Sequence, residues 1–293
     1  MSEIKFEKKF HDWWYSKGTH LYDWKKPIFS RMLPFNRYHN NYFYKLVLSL
    51  STNAKLILDY GCGDGSESFI FTTKDCKIMG FDISKSGIEK AQAKIRKNKI
   101  HNINFFVMDC ENLGFEDNVF DIIFGKGIIH HLKISKAFKE IIRVLKPNGY
   151  AIFLEPLGIN PIFNYLKKII PSIKTENEHA LTKNDFKLIR NFFMAYSFKF
   201  FHLFSVISSI FYKYKFFLKF FIKLNKIEEK LFSKLYPLGF LAWTSLIILK
   251  KPLKHNLKKW FGKIKNFNNT INIFNMIIQN HTKINLLIFK DLT

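Results

Sequence analysis

Residues 56–65 read Leu-Ile-Leu-Asp-Tyr-Gly-Cys-Gly-Asp-Gly, an apolar run that ends in an acid and is followed by glycine at every second position. A short apolar run of this kind is typical of a buried parallel strand. Glycine lets the backbone take positive φ and approach a ligand closely. The segment from Ser66 to Thr72 can begin a helix whose first amide groups would point into the same crevice. The stretch therefore predicts a small-molecule site at the carboxyl edge of an open α/β sheet.

Strand-like and helix-like segments alternate from Lys55 onward. The predicted strands are 55–60, 77–82, 103–108, 119–124, 150–154, 195–201 and 240–250, and the predicted helices are 86–98, 134–145 and 182–193. Each of the first five strands ends at an acid or a glycine, on the edge where α/β sheets place their ligands. The alternation predicts an α/β fold built on a doubly wound sheet.

Size and composition narrow the class of protein. The 293 residues suffice for one large domain or two small ones, and a hydrophobic content of 47% is ample for a core. The three cysteines are odd in number and none lies in a CxxC motif, which favours a reducing compartment and indicates no metal site. The N-terminus begins Met-Ser-Glu-Ile-Lys without an apolar segment, so we predict no secretory signal and expect a cytoplasmic protein.

The formal net charge of +24 is distributed unevenly along the chain. Residues 55–155 hold 15 Lys and Arg against 13 Asp and Glu, so this stretch is close to neutral. The excess lies elsewhere, with 16 basic against 5 acidic residues in 156–252 and 7 against 1 in 253–293. An AT-rich genome would produce such a composition without selection, but the uneven distribution keeps an acidic partner in consideration.

Six motifs follow one another in order along the chain. They are Leu58-Asp59-Tyr60-Gly61-Cys62-Gly63-Asp64-Gly65, Gly80-Phe81-Asp82-Ile83-Ser84, Val107-Met108-Asp109-Cys110, Phe120-Asp121-Ile122-Ile123, Ile129-His130-His131-Leu132 and Arg143-Val144-Leu145-Lys146-Pro147-Asn148-Gly149. Together they resemble the class I S-adenosylmethionine-dependent methyltransferases, of the small-molecule type that includes quinone-biosynthesis enzymes. The resemblance covers about 40–252. It implies a seven-stranded Rossmann-like sheet, S-adenosylmethionine as cofactor and methyl transfer as the activity.

The resemblance also implies which positions would hold the cofactor. They are Asp59, Gly61, Cys62, Gly63, Gly65, Asp82, Ile83, Asp109, Cys110, Gly125 and Lys126. The glycines would pass close to the amino-acid part of the cofactor, and Gly125 and Lys126 would line its methionine end. Asp82 would accept hydrogen bonds from both ribose hydroxyls, since an ionised carboxylate can take two donors from a vicinal diol. Asp109 would accept from the adenine amino group.

Three rival functions are weighed against this one. An NAD-dependent dehydrogenase requires G-x-G-x-x-G, whereas this chain has G-x-G-x-G and no Tyr-x-x-x-Lys pattern. A nucleic-acid methyltransferase would use the positive charge. However, the fourth strand ends in Phe124-Gly125-Lys126-Gly127 rather than an Asn-Pro-Pro-Tyr-like motif. A non-catalytic protein that binds S-adenosylmethionine stays open.

Methyl transfer from a sulfonium needs positioning and water exclusion more than a catalytic side chain. If the acceptor is a hydroxyl or an acidic carbon, a general base helps. The candidates are His131 after the fourth strand, Glu155 at the tip of the fifth strand and His179 in the turn before the next helix.

Segments added around the sheet are expected to select the acceptor. We predict an aromatic helical cap over 1–54, a methyltransferase domain over 55–252 with a helical insertion at about 203–238, and a basic Asn/Lys-rich tail over 253–293. Within the insertion, lysines recur at helical spacing from Lys215 to Lys234, opposite a Phe/Leu face. Such a helix either packs on the domain or lies on an anionic membrane surface. In the second case the acceptor would be a lipid, a quinone or a lipid-linked sugar, and the protein would be peripheral at the inner membrane surface.

Overall fold

The computed structural model describes Asp12 and residues 27–72, 75–161, 164–165, 180–193, 195–211 and 214–251. These ranges contain seven strands and five α-helices. The strands are β1 (Leu56–Tyr60), β2 (Lys77–Asp82), β3 (Ile103–Val107), β4 (Phe120–Lys126), β5 (Leu145–Pro156), β6 (Ala195–Phe201) and β7 (Thr244–Lys250). The α-helices are α1 (Pro27–Leu50), α2 (Lys85–Asn98), α3 (Ile134–Val144), α4 (Lys183–Phe192) and α5 (Phe217–Lys234).

All seven strands belong to one sheet, in the order β3-β2-β1-β4-β5-β7-β6. Strands β1 to β5 pair in parallel, whereas β7 runs antiparallel to both β5 and β6. After β1 the chain adds β2 and β3 on one side of this strand, and it then returns to add β4 on the other side. This reversal opens a crevice at the carboxyl ends of β1 and β4, where open α/β sheets bind ligands. The predicted doubly wound, seven-stranded sheet is confirmed.

The sheet is covered on both faces, so its strands are apolar on both sides. In β1, Ile57 packs in the apolar cluster that contains α1 and α2, while Leu58 and Tyr60 pack in the cluster that contains α3 and α4. All three side chains are fully buried. Burying a large apolar side chain contributes about 1.5–3 kcal/mol, and β1, at the centre, contributes to both clusters.

Several predicted boundaries are wrong. A 3-10 turn at Ser68–Phe71 follows the glycine turn in place of a helix from Ser66. Strand β5 begins at Leu145, not at 150, and Pro147-Asn148-Gly149 lies inside it. Asn148 there has φ of 65°, and the pairing of β4 with β5 shifts register. The last strand begins at Thr244, because 236–241 form a 3-10 turn.

The structure describes the predicted N-terminal cap only in part and the predicted C-terminal tail not at all. Helix α1 supplies the second half of the predicted cap over 1–54, and Asp12 is also described. The aromatic residues Trp13, Trp14 and Trp24 and the whole of 253–293 lie outside the described residues.

The predicted insertion contains a long helix, and the central part of its apolar side is buried against the domain. The inward face of α5 is buried against the domain, through Phe217, Phe221, Asn225, Glu228 and Phe232. The Glu228 carboxylate accepts hydrogen bonds from the backbone N–H groups of Phe204 and Ser205, both at 2.5 Å. These two bonds join α5 to the segment that follows β6.

No helix among the described residues is both long enough and apolar enough to cross a membrane.

Candidate active site

The glycine turn after β1 has a backbone that only glycine adopts without strain. Gly61 and Gly65 both have φ of 74°. A Cβ atom at Gly61 would lie 2.5 Å from Ile128 Cγ1, and one at Gly65 would lie 2.5 Å from the Phe105 ring. Both the dihedral angle and the lack of space therefore require glycine at these two positions. The turn brings its backbone against the end of β2, where the Cys62 N–H donates to the Phe81 carbonyl at 2.8 Å.

Asp82 connects the end of β2 to the glycine turn. Its Oδ2 accepts from the Gly63 N–H and its Oδ1 from the Ser84 N–H, both at 2.9 Å. The side chain is 8% exposed, at the carboxyl edge of the sheet. Each carboxylate oxygen has a second lone pair, so Asp82 can hold the turn and still accept from a vicinal diol. The residues present therefore fit the ribose of the cofactor. Ile83, the next residue, is half-buried.

The N-terminal region reaches the same strand end through Asp12. The Ser84 hydroxyl donates to Asp12 Oδ1 at 2.7 Å, and the Ser86 N–H donates to the same oxygen at 3.1 Å. Part of the predicted cap therefore contacts Ser84, which follows Asp82 by two positions in the chain.

Asp109 and Cys110 lie in the loop that follows β3. Asp109 is half-buried, and its Oδ1 accepts from the Glu111 N–H at 2.8 Å. The Tyr60 hydroxyl donates to the Cys110 carbonyl at 2.6 Å, which ties this loop to the end of β1. Burial raises the pKa of the Cys62 and Cys110 thiols well above the ordinary value, so both stay protonated and neither is a reactive thiolate.

Asp59 lies beneath the turn and supports it from the β1 side. It is 2% exposed and accepts a hydrogen bond from the Ser68 hydroxyl at 2.5 Å. Burial, assisted by the nearby Glu67 and Asp82 carboxylates, raises the pKa of Asp59 to about 8, against the pull of Ser68 and Lys126. Its carboxyl group is therefore largely protonated at neutral pH.

Lys126 at the end of β4 ties three elements together. It pairs with Glu67, from the loop after the glycine turn, and lies 3.2 Å from the hydroxyl of Tyr44 on α1. Tyr44 also donates to Glu67. Gly125, one residue earlier, is required by space, since a Cβ there would lie 2.8 Å from the Tyr60 carbonyl oxygen. Lys126 thus stands at the crevice with α1 above it.

Glu155, a candidate base from the sequence, is buried at the end of β5 with both carboxylate oxygens engaged. Its side chain is fully buried, and Oε1 accepts from the N–H groups of Ile128 at 3.0 Å and Ile129 at 2.9 Å. Its Oε2 lies 2.7 Å from His130 Nδ1. Glu155 is therefore a positioning residue that holds the loop after β4.

His131 lies in the loop that Glu155 holds. Its ring packs on the His130 ring, with centroids 4.1 Å apart, and it is half-buried where His130 is buried. His179, the third candidate base, lies outside the described residues. In the ranges that the structure describes, no group of three or more His, Cys, Asp or Glu could hold a metal ion.

A buried polar cluster lies at the same edge of the sheet. His39 on α1 packs against His202, which follows β6, with ring centroids 5.4 Å apart, and against Trp243 at 6.4 Å. Burial, with the charges of His202 and Lys126, lowers the pKa of His39 well below its ordinary value. His39 Nδ1 has no hydrogen-bond partner among the described residues. A neutral imidazole on α1 thus lies between the ends of β4 and β6.

Comparisons with known proteins agree with the motifs. Residues 51–194 match a family model described as a methyltransferase domain. A phthiotriol/phenolphthiotriol dimycocerosates methyltransferase of Mycobacterium ulcerans is 28% identical over 43% of this chain and 47% of its own length. The demethylmenaquinone methyltransferase of Lactococcus lactis is 31% identical over 39% of this chain and 50% of its own length. The matched stretches thus span half or less of these relatives.

Solved structures share the fold. A geranyl diphosphate C-methyltransferase from Streptomyces coelicolor, in complex with Mg²⁺, geranyl diphosphate and S-adenosylhomocysteine, aligns over 86% of this chain and 99% of its own, with a TM-score of 0.57 and 10% identity. Phosphoethanolamine N-methyltransferase 2 from Haemonchus contortus, in complex with S-adenosylmethionine, aligns over 74% of this chain and 53% of its own, with a TM-score of 0.53 and 18% identity.

Replacing Glu155 with Ala is predicted to lower the stability of the folded protein, and not only its catalytic turnover. The change leaves two backbone N–H groups and His130 without their buried acceptor, which costs roughly 3 kcal/mol or more in the free energy of unfolding. Urea denaturation followed by circular dichroism measures this loss. As a control, Glu89→Ala removes an exposed carboxylate on α2 that pairs with Lys85 and should change stability by less than about 0.5 kcal/mol. Equal stability of the two variants would contradict the positioning role.

Proposed function

Since the chain carries a class I S-adenosylmethionine-dependent methyltransferase domain, we propose that it transfers the methyl group of this cofactor to a lipid-like acceptor. The observation that carries the cofactor assignment is the Asp82 carboxylate, buried at the end of β2 and bonded to the glycine turn. Its remaining lone pairs suit the two ribose hydroxyls. S-adenosylmethionine supplies, when bound, a methyl group activated on a sulfonium centre.

The residues of this chain would bind the cofactor, orient the acceptor and shield the reacting groups from water. The glycine turn would offer backbone close to the amino-acid part of the cofactor, and Asp109 would accept from the adenine side. The contacts of Lys126 with Glu67 and Tyr44 hold α1 over the end of β4, which excludes water from the reacting groups. His131 accepts the proton from an acceptor hydroxyl or acidic carbon, while Glu155 and His130 position its loop.

A lipid-like acceptor is supported by two relatives. The Mycobacterium ulcerans relative is named for phthiotriol dimycocerosates, and the Lactococcus lactis relative for demethylmenaquinone. Both names describe strongly apolar acceptors, so we propose a quinone, a lipid or a lipid-linked sugar for this protein. Acceptors of this kind reside in membranes, and we therefore propose a cytoplasmic enzyme that works at the inner membrane surface.

Asp82→Asn is predicted to weaken binding of S-adenosylhomocysteine by about tenfold to a hundredfold. The amide nitrogen cannot accept a hydrogen bond, and one bond to a charged acceptor contributes about 1.5–3 kcal/mol. Isothermal titration calorimetry measures the dissociation constant. The control is Asp75→Asn, an exposed acid before β2, which should bind like the wild type. An unchanged constant in Asp82→Asn would contradict the ribose assignment.

Methyl transfer is tested with purified protein, methyl-labelled S-adenosylmethionine and two acceptors, demethylmenaquinone and a detergent-solubilised total lipid extract of the source cells. We expect label in the organic phase together with an equal amount of S-adenosylhomocysteine. Label in RNA added to a parallel reaction, and none in either lipid acceptor, would show a nucleic-acid methyltransferase. Binding of S-adenosylhomocysteine without transfer to any acceptor would show a non-catalytic protein. Tight binding of NADH alone would support a dehydrogenase.

His131→Ala is predicted to lower turnover by about a hundredfold and to leave the affinity for S-adenosylhomocysteine within about twofold. A general base contributes at least about a hundredfold to proton transfer but does not touch the cofactor. The matched control is His101→Ala, an exposed histidine at the opposite edge of the sheet. Wild-type turnover in His131→Ala would remove this residue from the mechanism.

A further inference from the structure

Six exposed lysines form one continuous basic surface on α5 and the residues before it. This Lys face consists of Lys215, Lys219, Lys223, Lys226, Lys230 and Lys234. At about 100° per residue, it lies opposite the buried side of the helix and points straight outward. None of the six forms an ion pair with any residue in the described ranges.

The acids of α5 do not neutralise the Lys face. Glu228 is 1% exposed and is committed to the backbone of Phe204 and Ser205. Glu229 pairs with Lys199 at 2.7 Å and accepts from the Tyr42 hydroxyl at 3.1 Å. The positive charge of the helix is therefore presented to the outside without a local counter-charge.

Exposed apolar side chains border the Lys face. This apolar rim contains Tyr214 (60% exposed), Phe216 (49%), Ile227 (46%) and Leu235 (53%). Phe216 and Tyr214 stack on each other with ring centroids 5.6 Å apart, and Phe211 packs against both rings, yet about half or more of each side chain stays exposed. Exposed large apolar groups beside a basic stripe are unusual on a surface that meets only water.

We propose that the Lys face and the apolar rim together dock this protein on an anionic lipid bilayer. Lysines near such a surface each gain from the negative potential of the headgroups. Aromatic and aliphatic side chains on the same surface insert at the boundary between headgroups and acyl chains. The docking is rigid, since the opposite side of α5 is already buried against the sheet. Ile227 and Leu235 cannot stack on bases, which favours a bilayer over a nucleic acid.

The position of this surface relates it to the candidate active site. Phe221, one turn into α5, stacks on His202 with ring centroids 5.9 Å apart. His202 follows β6 and lies at the same edge of the sheet as the crevice. Docking would therefore bring that edge towards the bilayer, the side from which a lipid-like acceptor arrives. This last step rests on the proposed function, whereas docking itself does not.

The test is flotation of the full chain with vesicles of phosphatidylcholine alone or mixed with phosphatidylglycerol. We expect the wild type to float only with the mixed vesicles and to be released as salt is raised. Charge reversal of Lys219, Lys223 and Lys226 to Glu should lower the partition coefficient by about a hundredfold or more, at about a fivefold loss per lysine.

The matched control reverses three exposed lysines on other elements, Lys55 before β1, Lys97 on α2 and Lys139 on α3. It carries the same net charge as the α5 variant and should bind like the wild type. A second variant tests the apolar rim by itself. Phe216→Ser combined with Ile227→Ser keeps all six lysines and should still weaken binding to the mixed vesicles. Circular dichroism confirms that each variant is folded.

Three results would overturn the proposal: no flotation of the wild type with mixed vesicles, equal loss in the α5 variant and its control, or lysine-dependent binding of an RNA oligonucleotide without vesicle binding. Methyl transfer to detergent-solubilised lipid does not require docking. The α5 variant should therefore keep that activity, and a failure of the proposed function would leave the flotation result standing.

Discussion

The hydrogen bond from the Gly63 N–H to the Asp82 carboxylate joins the two strands on which the candidate site depends. It fixes the glycine turn against the end of β2 and orients a buried acid towards the crevice. The turn has this shape because Gly61 and Gly65 have positive φ and no room for a side chain. A charged acceptor in a largely dry environment makes a stronger hydrogen bond than a neutral one, so the contact serves both stability and binding.

Around this contact, buried carboxylates take three different roles because their surroundings differ. Asp82 holds the turn and keeps acceptor capacity for a ligand. Asp59, deeper under the turn, has its pKa raised to about 8 by burial and is largely neutral. Glu155 has no exposure and has both oxygens engaged, so it organises the loop that carries His130 and His131. The same carboxyl group therefore serves as a ligand group, a neutral support or a loop anchor according to its hydrogen bonds and exposure.

Much of the fold could be predicted from the sequence because its signals are local. Apolar runs that end in glycine or an acid marked β1 to β5, and the helix predicted over 182–193 matches α4 closely. The roles of Glu155 and α5 could not be predicted in the same way. Glu155 became a positioning residue only because β5 places it beneath the backbone of Ile128 and Ile129. For α5, the helical period separated lysines from phenylalanines but could not tell that the phenylalanine side packs on the domain. His39 and His202 are far apart in the chain, and only the tertiary fold brings them together.

A crystal structure of the protein with S-adenosylhomocysteine tests the central claim most directly, that the glycine turn and Asp82 form the cofactor site. We expect both ribose hydroxyls within hydrogen-bond distance of the Asp82 carboxylate, the amino-acid part over the glycine turn and the adenine beside Asp109. A ligand bound elsewhere on the protein, or a ribose that lies away from Asp82 while the carboxylate keeps only Gly63 and Ser84, would contradict it.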